Sequence, residues 1–388
     1  MKSDSSKPLA LLLLPSLRVG GAERQALEIA RRLPAFGWRV RLLVCESSGP
    51  LREEIERDGL DWVDLDRRFA LPKRSPAFWA NVVRTLWRIR CESRRDSPAI
   101  LQSFLFWENQ LAAVAFGGPL LVQGRRDIGS YKDQRPIYQR FENWSNRLAA
   151  RIVCNSAGVL ADVRRRERVD PARVMVIPNG VDVARFSPTT EPSPLRGATG
   201  PLADARFVVG TVGNIKPAKR HDIFLETVAR LASRVPGLRA VIVGDDRGGR
   251  RQEMEALAAK LGVGPLVHFA GRIEDVRPWL AAMDCFLLTS DSEGMPNVVL
   301  EAMASGLPVV TRPVEGIAEL VTEGTGFVSR SGDPAELAEL VGRVASAPPE
   351  TRLAMGAAGR RRMTEHFSLE VMAGRYAALY DELTGRKP

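Results

Sequence analysis

Between Cys285 and Thr311 the chain reads CFLLTSDSEGMPNVVLEAMASGLPVVT. The apolar run from Cys285 to Leu288 has the composition of a buried strand. A turn follows at Glu293-Gly294-Met295-Pro296, a helix opens near Asn297 and ends at Gly306, and a second apolar run covers Val309 to Thr311. The same alternation extends through the rest of the chain. Towards the N-terminus the runs are Leu9 to Leu14, Val40 to Cys45, Ile100 to Phe104, Leu120 to Gln123, Arg151 to Cys154 and Val174 to Ile177. Nearer the quoted stretch they are Phe207 to Gly213, Ala240 to Gly244 and Val267 to Phe269. Continuous apolar runs separated by amphipathic stretches are the pattern of parallel strands covered by helices on both faces. It occurs twice, which predicts two doubly wound α/β domains.

A length of 388 residues agrees, since domains hold roughly 150 residues each. Between the two series lies Phe186-Ser187-Pro188-Thr189-Thr190-Glu191-Pro192-Ser193-Pro194, continuing through Gly197, Gly200 and Pro201 to Asp204. Alternating prolines with Ser, Thr and Gly can continue neither a helix nor a central strand. The expected organisation is a first Rossmann-like domain over 1–186, a linker over 187–205 and a second Rossmann-like domain over 206–367. Helical segments are expected from Asp333-Pro334 to about Val344, over Thr351 to Met363, and over Ser368 to Leu383.

Composition narrows the class: 45% apolar and 26% charged residues suit a globular protein and exclude a disordered or collagen-like one. Leu9 to Leu14 is too short to span a bilayer, and the Pro15-Ser16-Leu17-Arg18 that follows is unlike a signal-peptide cleavage site. A cytoplasmic location is expected. Cys45, Cys91, Cys154 and Cys285 are far apart, and His221, His268 and His366 show no metal-ligand spacing. No disulfide framework, metal or cofactor is therefore expected. The net charge of +10 is unevenly placed: residues 1–190 carry 32 Lys and Arg against 21 Asp and Glu, a balance of +11, leaving 24 against 25 for the remainder. An anionic partner for the first half follows, and without a nucleic-acid-binding motif it is expected to be a membrane surface or an acidic acceptor rather than nucleic acid.

Three constellations carry chemistry. In the quoted stretch, a loop and helix N-terminus offer N-H groups to an anion, while Glu293 and Glu301 can accept hydrogen bonds from sugar hydroxyls. That combination suits a nucleotide sugar, with diphosphate between hydroxyl-rich rings. The second is Val212-Gly213-Asn214-Ile215-Lys216-Pro217-Ala218-Lys219-Arg220-His221-Asp222, whose cations can stabilise the charge of a departing nucleoside diphosphate. The third is Gly20-Gly21-Ala22-Glu23-Arg24 after the first strand, where glycine lets backbone approach a ligand closely.

The string from Glu293 to Glu301, with the overlapping Glu301-Ala302-Met303-Ala304-Ser305-Gly306-Leu307-Pro308-Val309-Val310, resembles the donor-binding motif of retaining glycosyltransferases of family 4, also called glycosyl transferases group 1. Gly20 to Arg24, Asn155-Ser156, Ile177-Pro178-Asn179-Gly180-Val181-Asp182 and Gly271-Arg272 match as well, so the resemblance covers nearly the whole chain. It implies the GT-B fold: two facing Rossmann-like domains with the active site in the interdomain cleft, and a C-terminal helix, here 368–384, that completes the first. It further implies that Glu301 binds the ribose hydroxyls and Glu293 the donor sugar near the reacting face. The amides of Gly294, Met295, Pro296 and Asn297 would hold sugar hydroxyls and phosphate. Lys219 matches the family's phosphate-binding lysine, with Arg220 beside it and Gly20 and Gly21 across the cleft.

Two positions depart from the family. Asn214 stands where an arginine is usual, so Lys216, Arg220 or Arg18 would have to replace that charge. The histidine usual after Ile100 to Phe104 is absent, leaving Ser103, Asn109 or Arg125-Arg126-Asp127 as substitutes. A further stretch from Phe78 places Phe78, Val82, Leu86 and Ile89 on one helical face and Arg84, Arg88 and Arg95 on another, as in a helix covering a sheet or one lying on a membrane.

These readings lead to a metal-independent transferase acting on a nucleotide sugar and a saccharide or lipid-linked acceptor, in the cytoplasm or at the inner face of the membrane. A non-catalytic carbohydrate-binding protein and a nucleotide-sugar epimerase are the alternatives.

Overall fold

A computed structural model describes residues 6–67, 75–115, 117–133, 135–189, 191, 193–246 and 249–387. The chain forms two compact units, one of residues 1–180 with 369–388 and one of residues 181–368.

Among the described residues, the first unit holds seven parallel strands: β1 (Leu9–Ser16), β2 (Arg39–Glu46), β3 (Trp62–Asp64), β4 (Ile100–Ser103), β5 (Leu120–Arg125), β6 (Arg151–Cys154) and β7 (Val174–Val176). Their order is β3-β2-β1-β4-β5-β6-β7. The unbroken leucines of β1 are explained by burial on both faces. Ala10, Leu12 and Leu14 pack with the helices Gly21–Arg32 and Leu369–Thr384, whereas Leu9, Leu11 and Leu13 pack with Ile89 and Leu111 from the helices Pro76–Glu92 and Phe106–Val114. The C-terminal helix thus belongs to the first unit. Tyr376 and Tyr380 are buried there; the Trp38 ring lies 5.3 Å from that of Tyr380 and donates from Nε1 to Asp381 Oδ1 at 3.0 Å. Gln25 ties off the junction, accepting from Gly180 N at 2.9 Å and donating to Gly180 O at 2.8 Å.

The second unit holds β8 (Phe207–Val212), β9 (Leu238–Val243), β10 (Val267–Gly271), β11 (Cys285–Leu288), β12 (Val309–Thr311) and β13 (Gly326–Val328), all parallel, in the order β10-β9-β8-β11-β12-β13. The boundary falls at Gly180, before the expected position. Segment 187–205 packs on the second unit where it is described; Thr190 and Pro192 lie outside the described residues. Leu202 is buried, Ser193 Oγ donates to Pro278 O at 3.0 Å, and Arg196 Nε donates to Ala282 O at 2.9 Å.

All eleven apolar runs are strands. β3 and β13 were not anticipated, because three residues including Asp64 or Gly326 carry too little apolar pattern. The charge asymmetry follows the units: 34 basic and 23 acidic residues give the first +11, and 22 against 23 give the second −1.

Trp38→Ala removes a buried ring and the donor to Asp381, and should cost roughly 3–5 kcal/mol in denaturant unfolding. A loss below about 1 kcal/mol would mean that the terminal helix is not anchored there.

Candidate functional site

In the second sheet the strand order reverses between β8 and β11. Crossovers from two such neighbours leave on opposite faces, so the loops after them part and open a crevice at the carboxyl ends of the strands. The loop after β8 carries Asn214, Lys219 and Arg220, and the loop after β11 carries Glu293. Thr289 Oγ1 donates to Lys219 O at 3.0 Å, and Asp291 N donates to Ala218 O at 2.9 Å, locking the loops together. Lys219 Nζ then meets Glu293 Oε1 at 2.6 Å, with both side chains mostly buried. The lysine stem runs along Gly213, where a Cβ would come within 3.3 Å of Cε. Below it, a Cβ on Gly244 would stand 2.0 Å from Gly213 O, so glycine is required there.

The neighbouring charges are also paired. Arg220, in the left-handed region at φ 49°, donates from Nε to Asp222 Oδ1 at 3.0 Å and forms an ion pair with Asp291 at 3.0 Å. Arg312, which the sequence reading did not single out, donates to Asp291 Oδ1 at 2.5 Å and to Thr289 O at 3.2 Å. Its position, one residue past β12, gave no motif to find it by. Asn214 Oδ1 accepts from Asp245 N at 3.3 Å, so the residue at the usual arginine position bridges the ends of β8 and β9 instead of carrying charge.

The turn enters the helix Asn297–Ala304, whose Val299, Leu300 and Met303 are buried in the core. Asn297 and Glu301, four residues apart and half-buried, share the other face. One expectation is corrected: Pro296 has no N-H to donate and caps the helix with its carbonyl, which accepts from Val299 N at 3.0 Å. The Met295 side chain is core and does not reach a ligand. Gly306 closes the helix at φ 79°.

In the first unit the reversal lies between β1 and β4. Gly20 caps the helix Gly21–Arg32 with φ −141°, which any residue adopts, and a Cβ there would meet only the movable end of the Glu23 side chain, 2.2 Å from Oε2. Burial raises the Glu23 carboxyl, and burial lifts that of Glu108 to about 7, with the Glu23 charge a smaller contribution. Glu108 was missed because a glutamate in a helix's first turn ordinarily reads as solvated. The proposed substitutes for histidine are struts: Ser103 Oγ donates to Asn109 Oδ1 at 2.7 Å, Asn109 Nδ2 donates to Gly124 O at 3.0 Å, and both residues are buried. Arg125 is buried in ion pairs with Glu142 at 3.1 Å and Glu167 at 3.0 Å. Arg126 donates to Asn179 Oδ1 at 2.7 Å and Tyr376 Oη at 3.0 Å.

Comparison with known proteins identifies the fold and the family. The Anabaena protein Alr3699/HepE, crystallised in complex with UDP and glucose, superposes with a TM-score of 0.81 at 23% identity, over 95% of this chain and 98% of that one. A glycosyltransferase from Rickettsia africae ESF-5 gives 0.81 at 17% identity, over 98% and 100%. The fold is therefore GT-B. Residues 206–347 match the family described as glycosyl transferases group 1, and residues 19–185 match glycosyltransferase family 4. The chain belongs to the group 1 glycosyltransferases of family 4. Among curated relatives, the D-inositol 3-phosphate glycosyltransferase of Streptomyces scabiei is 32% identical over 60% of this chain and 54% of its own. The lipopolysaccharide core biosynthesis mannosyltransferase LpsB of Rhizobium meliloti is 29% identical over 63% and 70%. The match to the first of these spans about half its length.

His221 opens the helix His221–Leu231 beside Lys219, and burial, aided by the lysine charge, pushes its pKa down to about 4. Folding therefore favours the neutral ring. Its contribution is complete above the ordinary pKa of about 6.5 and is lost as pH falls towards 4. Relative to His221→Leu, the native protein should lose about 3 kcal/mol between pH 7 and pH 4 in denaturant titrations. Parallel profiles would refute a neutral buried His221.

Proposed function

We propose that the chain is a retaining glycosyltransferase, transferring a sugar from a nucleoside-diphosphate sugar to a hydroxyl of a saccharide or lipid-linked saccharide in cell-surface polysaccharide or glycoconjugate assembly. The observation that carries this reading is the meeting of Lys219 and Glu293 at the β8/β11 reversal, with Glu301 on the helix that follows. The donor's diphosphate competes for the lysine ammonium and releases the Glu293 carboxylate to accept from the donor sugar, while Glu301 takes the ribose hydroxyls. As the bond from the anomeric carbon to phosphate oxygen breaks, Lys219 and the backbone amides of the turn meet the charge that develops. The acceptor oxygen bonds the same face of that carbon, and its proton passes to the leaving phosphate oxygen. No step calls for a metal.

The names of the relatives support saccharide chemistry, since they include an inositol phosphate glycosyltransferase, a lipopolysaccharide core mannosyltransferase and a Vi polysaccharide biosynthesis protein from Salmonella typhi. The UDP and glucose of the Anabaena complex support a nucleotide-sugar donor. The site of action under this proposal is the cytoplasm, at the inner membrane face when the acceptor is lipid-linked. A non-catalytic nucleotide-sugar-binding protein is the second reading, favoured by Asn214 being tied to the Asp245 amide.

Nucleotide sugars tested in the presence of chelator should raise the melting temperature and be turned over with an acceptor. Lys219→Ala and Glu293→Ala should each lower kcat about 10²-fold or more, and Glu301→Ala should weaken donor binding. Failure to bind any donor would sink the transferase reading; binding without turnover against any acceptor pool would select the second.

A further inference from the structure

We propose that one face of the first unit, built from the helices Pro76–Glu92, Phe106–Val114 and Pro136–Ser145, docks the protein on an anionic lipid bilayer. A helix that covers a sheet normally shows water a polar outer face. These three do not.

On the first, the buried side carries Thr85 and Ile89, yet Trp79, Val83 and Trp87 form a stripe at intervals of four residues and are 60%, 64% and 64% exposed. On the second, Trp107 and Val114 lie seven residues apart and are exposed. On the third, Ile137, Phe141 and Trp144 repeat the pattern. The helices are neighbours: the first two share the core around Ile89 and Leu111, and the Tyr138 ring of the third stands 5.0 Å from Phe106 and 5.5 Å from Trp107. Thirteen large hydrophobic residues are exposed among the described residues, and eight of them, including four tryptophans, lie on these helices. A clustering of that kind marks an interaction surface, because scattered exposed apolar residues would be shared among all the elements.

Charge identifies the partner. Each carboxylate on the three helices is turned inward: Glu92 bonds Arg41 at 3.0 Å, Glu108 is buried, and Glu142 is buried against Arg125. Arg90 and Arg140 remain on the outside, and Arg84, paired with Asp66, is half exposed. With a balance of +11 for the unit, a second copy would bring like charges together. An anionic bilayer instead offers phosphate to the arginines and an interfacial zone in which tryptophan is favoured. Among the described residues no helix is long and apolar enough to cross a membrane, so the attachment is to the surface.

The inference rests on the lipid-linked-acceptor reading only for its purpose. Its test contains no donor, so its failure would leave glycosyl transfer untouched. The full chain should sediment with phosphatidylcholine vesicles containing phosphatidylglycerol, bind phosphatidylcholine alone weakly, and release as salt is raised. Brominated lipid should quench its tryptophan fluorescence. Trp79→Ala with Trp87→Ala should lower the partition coefficient about tenfold or more while leaving the melting temperature unchanged, since both rings are exposed. Arg90→Glu with Arg140→Glu should lower it on anionic vesicles only, and Leu353→Ala, an exposed leucine on the other unit, should not alter it. Absence of vesicle binding, binding indifferent to both double variants, or self-association that depends on Trp79 and Trp87 would overturn the proposal.

Discussion

Two parallel sheets each reverse their strand order once, and that reversal is the constraint on which the polar chemistry depends. Elsewhere along a doubly wound sheet, connections from neighbouring strands leave on the same face, and each closes the space beside the next. At the reversal the two connections leave on opposite faces, so neither covers the gap. In the second unit this brings Lys219 and Glu293, 74 residues apart in the chain, to 2.6 Å. In the first unit it sets Glu23 near Glu108, close enough for one carboxylate to perturb the other.

The electrostatics of the two reversals differ in a way that suits different partners. Around β8 and β11, Lys219, Arg220 and Arg312 are matched with Glu293, Asp222 and Asp291, so the cations are oriented before any ligand arrives. Under the proposed reaction, the donor's diphosphate would gain those cations by displacing carboxylates, which would then be available to sugar hydroxyl groups. Around β1 and β4, burial instead raises two carboxyls towards neutrality, which favours hydrogen bonding over charge. The excess positive charge of the first unit therefore belongs to its surface, where Arg90 and Arg140 are exposed.

The apolar runs were legible because parallel strands buried on both faces leave no room for polar alternation, and β1 from Leu9 to Leu14 is the plainest case. The strand-to-helix motif around Glu293 and Glu301 was legible because its glycine and proline positions fix a turn. Segment 187–205 misled, since prolines that end regular structure also suit a packed irregular segment, as Ser193 and Arg196 show. Ser103 and Asn109 misled too: a polar side chain after a strand serves a site or braces the backbone, and only its neighbours decide which.

Local order along the chain thus determined the two α/β units, their strands, the loops that carry Lys219 and Glu293 and the helix that carries Glu301, because periodicity and turn chemistry act over a few residues. Tertiary structure alone decided which charges are spent on one another. It paired Lys219 with Glu293, bound Asn214 to the loop after a neighbouring strand, turned Glu92, Glu108 and Glu142 inward and left Trp79 and Trp87 facing out. Pairing and burial depend on distances through space between residues far apart in sequence, and no local pattern encodes those distances.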